Sequence, residues 1–275
     1  MSPEPILPSV KSYPKSTESK WARMESWFLT LLTFNLLLLI SSCGLDIEDP
    51  TPPSPPVWVE KSLPEEWPER GIDAHESGGI YLEWEPSIMS DNIAGYIIQR
   101  AERIKGADSL SEFEHLIFLE PKMFNNDFID IDVSFFFEYV YRLKSEDFSG
   151  NFSGFSEWVT YSLLRSVSSD ELAMAPSGGD TLGLNRQLSW YYRYTIEMQD
   201  FIITLLGNDT ELLNRTRIVP SRYTNGIELW SIPDTIYLLP NQRYEWRIDM
   251  SANYSGGRET SGAESTWGYF YYSGR

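Results

Sequence analysis

Apolar and polar positions divide the chain into three regimes. Residues 27–40 carry no charge and are apolar apart from Thr30, Thr33 and Asn35. That run is shorter than the roughly 20 apolar residues a membrane-crossing helix needs. Residues 49–56 read Asp-Pro-Thr-Pro-Pro-Ser-Pro-Pro, which favours an extended polyproline-type spacer. From residue 57 onward, short runs alternate apolar and polar residues between turn-forming clusters, which is the signature of β-strands. In residues 80–85, Ile80, Leu82 and Trp84 share one face and Tyr81, Glu83 and Glu85 the other. Residues 93–100 predict the next strand. Residues 128–133 are expected to turn Ile129, Ile131 and Val133 inward and Asp130 and Asp132 outward. Residues 139–144 send Tyr139, Tyr141 and Leu143 to a core and Arg142 and Lys144 to solvent. Residues 158–163 close the set, and the stretch 116–127 looks long and irregular.

A second set of runs follows a linker at 166–170 and turn residues at 176–179. Leu188 and Trp190 form an inward pair. Residues 201–206 predict a strand, and 191–198 could be one in its own right. Trp246, Ile248 and Met250 face inward against Glu245, Arg247 and Asp249, and 267–272 predict the last strand. The chain is therefore expected to be all-β, with two sandwiches at 57–165 and 170–275.

Composition supports two cores, with 41% hydrophobic and 15% aromatic residues. The formal net charge of -18 repels phosphate backbones, and no basic stripe offsets it, so nucleic acid is excluded as a partner class. The charge reads as solubility at a crowded surface.

Cys43 is the single cysteine, and the two histidines, His75 and His115, cannot complete a zinc cluster with it. Its setting is informative. Lys11, Lys15, Lys20 and Arg23 precede the apolar run and small residues follow it, as in a secretory signal peptide. Translation from Met24 would shorten the leader but discard all four basic residues, and the sequence leaves both starts open. Ile40-Ser41-Ser42-Cys43 resembles the lipobox of bacterial lipoproteins. The resemblance implies a signal peptide over 1–42, acylation of Cys43 as the new N-terminus, and a spacer over 43–56. Three acyl chains, as in that family, would make the anchor effectively permanent. Gly44 is not the aspartate of inner-membrane retention, and Asp46, Glu48 and Asp49 resemble a surface-export signal. The implied location is the cell envelope, at the outer membrane, with the periplasmic and surface faces both open.

The first sandwich carries a second resemblance. Pro52-Pro-Ser-Pro-Pro-Val57 is similar to the first strand of a fibronectin type III domain, Trp84 to its second-strand tryptophan and Tyr96 to its third-strand tyrosine. Residues 138–147 resemble its sixth strand and 149–153 the turn that follows. By this match Tyr139 is a tyrosine corner, its hydroxyl bonding back to the backbone. Residues 239–248 resemble the same signature, which makes Tyr244 a second corner. The implied fold is a tandem of immunoglobulin-like, fibronectin type III β-sandwiches.

Catalytic constellations are scarce. The chain after Cys43 has no His-Glu-x-x-His, phosphate-binding glycine loop, Gly-x-Ser-x-Gly or Ser-x-x-Lys. His75 lies in a polar loop and His115 at a surface strand position. Asp130 and Asp132 are the carboxylate pair a glycosidase would need, but neighbours on an open strand face are ordinarily solvated. Neither they nor Asp46, Glu48 and Asp49 match a calcium loop. Aromatics at 135–139, 191–194 and 269–272 occupy both strand faces, one of them serving domain contact or a platform for sugar or protein. The expected role is a non-catalytic envelope lipoprotein acting in binding, adhesion or spacing, without a cofactor. Its expected partners are membrane lipid through Cys43 and an envelope protein or glycan. The alternative is a carbohydrate-binding lipoprotein using exposed aromatics such as Tyr192 and Tyr271.

Overall fold

The period-two patterns resolve into strands in a computed structural model that describes residues 51–60, 70–86, 92–165, 174–192, 198–220, 226–255 and 258–274. Cys43, the apolar run before it and the acidic residues Asp46, Glu48 and Asp49 lie outside these residues. The first half contains β1 (Ile72–Ala74), β2 (Ile80–Trp84), β3 (Ile93–Ile104), β4 (Glu114–Leu119), β5 (Asn126–Asp130), β6 (Phe137–Asp147) and β7 (Val159–Leu163). The second contains β8 (Met174–Ala175), β9 (Asp180–Leu182), β10 (Gln187–Tyr192), β11 (Met198–Leu206), β12 (Leu212–Ile218), β13 (Gly226–Ser231), β14 (Arg243–Ser255), β15 (Arg258–Glu264) and β16 (Gly268–Tyr272).

Each half is an immunoglobulin-like sandwich. In the first, the sheet β1-β2-β5 faces β4-β3-β6-β7; in the second, β13-β10-β8 faces β12-β11-β14 and its partners β15 and β16. The two cores repeat one plan. Trp84 meets the edge of Tyr96 at 5.4 Å and Trp58 at 6.5 Å, while Trp190 meets Phe201 at 5.2 Å. Aromatic pairs in this edge-to-face geometry add about 0.5–1.5 kcal/mol beyond the area they bury. At the ends of the sandwiches, the Tyr139 hydroxyl accepts the Ser134 N–H at 2.7 Å and the Tyr244 hydroxyl accepts the Leu239 N–H at 2.6 Å. Both tyrosines thus tie the chain before the sixth strand to the strand itself.

Several expectations are corrected. The phase of residues 128–131 is reversed: Phe128 joins the core, Asp130 is buried with Asn126 before it, and Ile131 is 73% exposed, while Asp132 faces solvent and Val133 packs on the core as expected. Register explains this, because Leu82 and Ile80 pair with Phe128 and Asp130, so the inward set of β2 dictates the inward set of β5. The stretch 116–127 holds most of β4, so it is not irregular throughout. Trp158 precedes β7 and is exposed. Strand β10 ends at Tyr192 and β11 begins at Met198, and most of the alternative strand at 191–198 lies outside the described residues. The last strand lies where expected, as β16, and an unpredicted strand, β15, precedes it; the two pair with successive parts of β14.

The two halves share one sheet. Strand β7 pairs in parallel with β15, Ser162 opposite Ser261 and Leu163 opposite Gly262, and the Leu164 N–H donates to the Gly262 carbonyl at 2.7 Å. Leu163 belongs to the first core and Leu164 to the second. Lys105 adds a bond from its Nζ to the Leu163 carbonyl at 3.0 Å.

Asp130 survives burial because its charge is met on two sides. Arg100 donates to Oδ2 at 2.8 Å and the Tyr141 hydroxyl at 2.9 Å. Burial first, and then the Asp130 charge, push the Tyr141 pKa well above its ordinary value. The unfolded chain loses this proton near pH 10 while the folded chain keeps it, so folding stability falls as pH rises through about 10. In urea unfolding at stepped alkaline pH, the wild type should lose up to about 1.4 kcal/mol more per pH unit than Tyr141→Phe. Equal slopes would contradict the assignment.

Candidate functional site

The outer face of β4-β3-β6-β7 carries a row of alternating aromatic and cationic side chains. Arg142 and Lys144 project outward from β6, because Tyr141, Leu143 and Ser145 point to the core. Beside them runs the segment Phe152-Ser-Gly-Phe-Ser156. Its serines bond to β6: the Ser153 N–H donates to the Ser145 carbonyl and its Oγ accepts the Ser145 N–H at 2.9 Å. Ser156 does the same with Leu143, accepting its N–H at 3.1 Å.

Anchored in this way, the phenylalanines lie over the cations. The Arg142 guanidinium sits 4.0 Å from the Phe113 ring centre and 3.9 Å from that of Phe155. Lys144 Nζ sits 3.9 Å from Phe152 and 5.6 Å from Phe155. Phe113 in turn meets Trp158 at 5.1 Å. Gln99 Oε1 accepts from Arg142 Nε at 2.8 Å and fixes its plane. Phe118 lies across β3 at Gly95, where any Cβ would come within 2.1 Å of its ring. Trp158, Phe152 and Phe155 remain 59%, 45% and 39% exposed. Such a face can stack on flat or apolar groups and can attract anions.

The second sandwich repeats the scaffold with different chemistry. Ser265 accepts the Ile248 N–H at 3.0 Å, and Arg247 lies 5.0 Å from the Trp267 ring. Counted from the two corner tyrosines, Arg247 matches Arg142 and Asp249 matches Lys144. The change to aspartate converts the open row into an ion-pair ladder: Arg247 bonds Glu264 at 2.9 Å, Asp249 lies 2.8 Å from Arg247 and 3.6 Å from Arg215, and Arg217 pairs with Asp200. Arg247, Asp249 and Glu264 are all buried.

A cavity of about 290 Å³ lies where the halves meet, lined by Phe135, Leu163, Leu164 and Ala263 with Arg165, Glu264 and His75 also bordering it. Arg165 stacks on Phe135 at 4.2 Å and Glu264 is engaged by Arg247.

The remaining residues singled out from sequence are dispersed. His75 bonds Ser77 across a turn, at 2.8 Å from Nδ1 to Oγ, and His115 is exposed on β4. Asp132 is exposed while Asp130 is buried, so they form no carboxylate pair in a cleft. Among the described residues, no group of three or more His, Cys, Asp or Glu side chains is placed to hold a metal ion. Tyr192 is a core residue packed on Phe201 at 4.9 Å, with its hydroxyl 3.5 Å from Glu228, so it cannot serve as a sugar platform. Tyr271 is partly exposed; Tyr269 stacks with Arg243 at 4.4 Å. Of the three aromatic clusters, Phe135 reaches the junction between the halves. The row on the first sandwich escaped sequence reading. Its signal was the spaced repetition of Phe-Ser in residues 152–156 and the Ser-x-Trp shared by 156–158 and 265–267.

No protein-family model matches the chain, and comparison with curated proteins finds no match. Among solved structures it is similar to the FN1–FN3 domains of chicken CNTN1, at 16% identity and a TM-score of 0.27, with 81% of this chain and 68% of that chain covered. The sandwich assignment rests on the strand order and the two cores described above.

The row predicts measurable coupling. A double-mutant cycle of Arg142→Ala and Phe155→Ala in urea unfolding should give about 0.5–1 kcal/mol of interaction energy. A value near zero would show that the stack is incidental.

Proposed function

We propose that this chain is a non-catalytic lipoprotein of the bacterial cell envelope, in which two joined β-sandwiches present a binding face. The observation that carries the binding role is the exposed row of Phe152, Phe155 and Trp158 interleaved with Arg142 and Lys144. Large exposed aromatic groups on a soluble sandwich are a feature of interaction sites. The anchoring role is supported by Ile40-Ser41-Ser42-Cys43 after an uncharged apolar run. The shared sheet suits a spacer, since it removes the swivel expected between tandem domains. The favoured partner is an envelope protein.

A second reading follows from Trp158, which is 59% exposed beside Phe113: the face takes a carbohydrate by ring stacking. Affinity electrophoresis in polysaccharide gels decides between the two. A glycan that retards the wild type but not Trp158→Ala establishes the second reading, and migration unaffected by any glycan removes it.

The anchor has its own test. In cells fed radiolabelled palmitate, the wild-type chain should incorporate label and fractionate with membranes, and Cys43→Ala should do neither. An unlabelled wild type, or a Cys43→Ala form that remains with membranes, contradicts the lipoprotein reading.

A further inference from the structure

Strand direction places three of the most exposed apolar side chains at one end of the first sandwich. Strand β2 ends at Trp84 opposite Asn126, where β5 begins, so the connection from β4 to β5 lies at this end and carries Met123 and Phe124. Strand β6 ends at Asp147 opposite Ile93, where β3 begins, so the turn carrying Phe148 lies at the same end. Met123, Phe124 and Phe148 are 86%, 79% and 73% exposed.

The Phe148 turn is well held. Asp147 Oδ1 accepts the N–H groups of Ser149 and Asn151, both at 2.8 Å, and the Phe148 N–H donates to the Asn92 carbonyl at 3.1 Å. Phe124 borders a cavity with Glu85 and Pro86, beyond the end of β2. These side chains are therefore presented by an ordered scaffold, and no sandwich core claims them.

The N-terminal side of the chain arrives at this end as well. Ser145, next to the end of β6, donates its Oγ to the Ser54 carbonyl at 3.0 Å, and the Glu85 N–H donates to the Val57 carbonyl at 2.8 Å. Between Cys43 and Thr51 the backbone spans at most about 29 Å, at roughly 3.6 Å per residue. If Cys43 sits in a bilayer, the covalent tether keeps this end of the sandwich next to it.

We infer that Met123, Phe124 and Phe148 form a lipid-contacting tip that docks on the phospholipid surface in which the chain is anchored. This rests on the lipoprotein reading of Cys43. Short apolar side chains on loop tips enter the interfacial region of a bilayer, while the polar backbone beneath them stays hydrated. A second contact beside the acyl anchor fixes the tilt of the body on the membrane, which a single point of attachment leaves free. The aromatic row on the adjoining sheet face then stands at a set angle to the surface.

The test uses the full-length acylated chain in vesicles of phosphatidylethanolamine and phosphatidylglycerol. An environment-sensitive fluorophore is attached at Met123→Cys, Phe148→Cys or Tyr237→Cys. Tyr237 is the control, 79% exposed and located before β14 begins. Because β7 and β15 are parallel, that position lies at the opposite end of the strands from the proposed tip. Labels at 123 and 148 should shift to the blue and lose fluorescence to lipid-borne nitroxide, and the label at 237 should do neither. Vesicle-bound protein with all three labels unquenched overturns the docking tip and leaves the anchor intact. A blue shift without lipid quenching overturns it in favour of a protein contact. Protein that does not float with the vesicles at all overturns both the tip and the anchor.

Discussion

The parallel pairing of β7 with β15 is the constraint on which the remaining structure depends. At the end of the first sandwich, Leu163 closes one core and Leu164, its neighbour in sequence, closes the other. A strand sends successive side chains to opposite faces, so one extended step at Leu163 and Leu164 serves both cores. The Leu164 N–H to Gly262 carbonyl bond and the Lys105 bond to the Leu163 carbonyl fix that step in place. Swinging the halves apart would expose Leu164 and Ala263 and leave ladder groups unpaired, each of which costs free energy.

This junction gives meaning to the asymmetry of the two outer faces. Both sandwiches anchor the chain after the sixth strand with a serine bonded to that strand, Ser156 on Leu143 and Ser265 on Ile248. On the first, the cations of the sixth strand are met by aromatic rings and remain near solvent. On the second, the matching positions are Arg247, paired with Asp249 and Glu264, and Asp249 itself, and all three are buried. The first half therefore leaves its rings and cations partly open to solvent, and the second buries the matching groups. A cation held by rings keeps part of its charge available to a partner, whereas one held by two carboxylates does not.

The sequence made the strands legible wherever one face was apolar and the other charged, as in β2 and β6. It misled where inward polar groups carried the pattern. Asp130 looked like a solvent position because aspartate is seldom buried, and only Arg100 and Tyr141, distant in sequence, make its burial tolerable. Tyr192 looked like a surface aromatic among other tyrosines, yet pairing of β10 with β13 turns it to the core. The candidate face was missed for a related reason: phenylalanine and serine spaced by three residues do not fit the period of a strand. Their meaning comes from cations on a neighbouring strand.

A sheet shared through β7 and β15 requires the two sandwiches to move as one body. Spin labels at His115→Cys on β4 and Leu212→Cys on β12 sit on the two outermost strands of the shared sheet. Electron–electron double resonance on the full chain should return a single narrow distance distribution, unchanged by the presence of vesicles. A broad or multimodal distribution would mean that the halves swivel about residues 163–165, and the shared sheet would not be the state of the protein in solution.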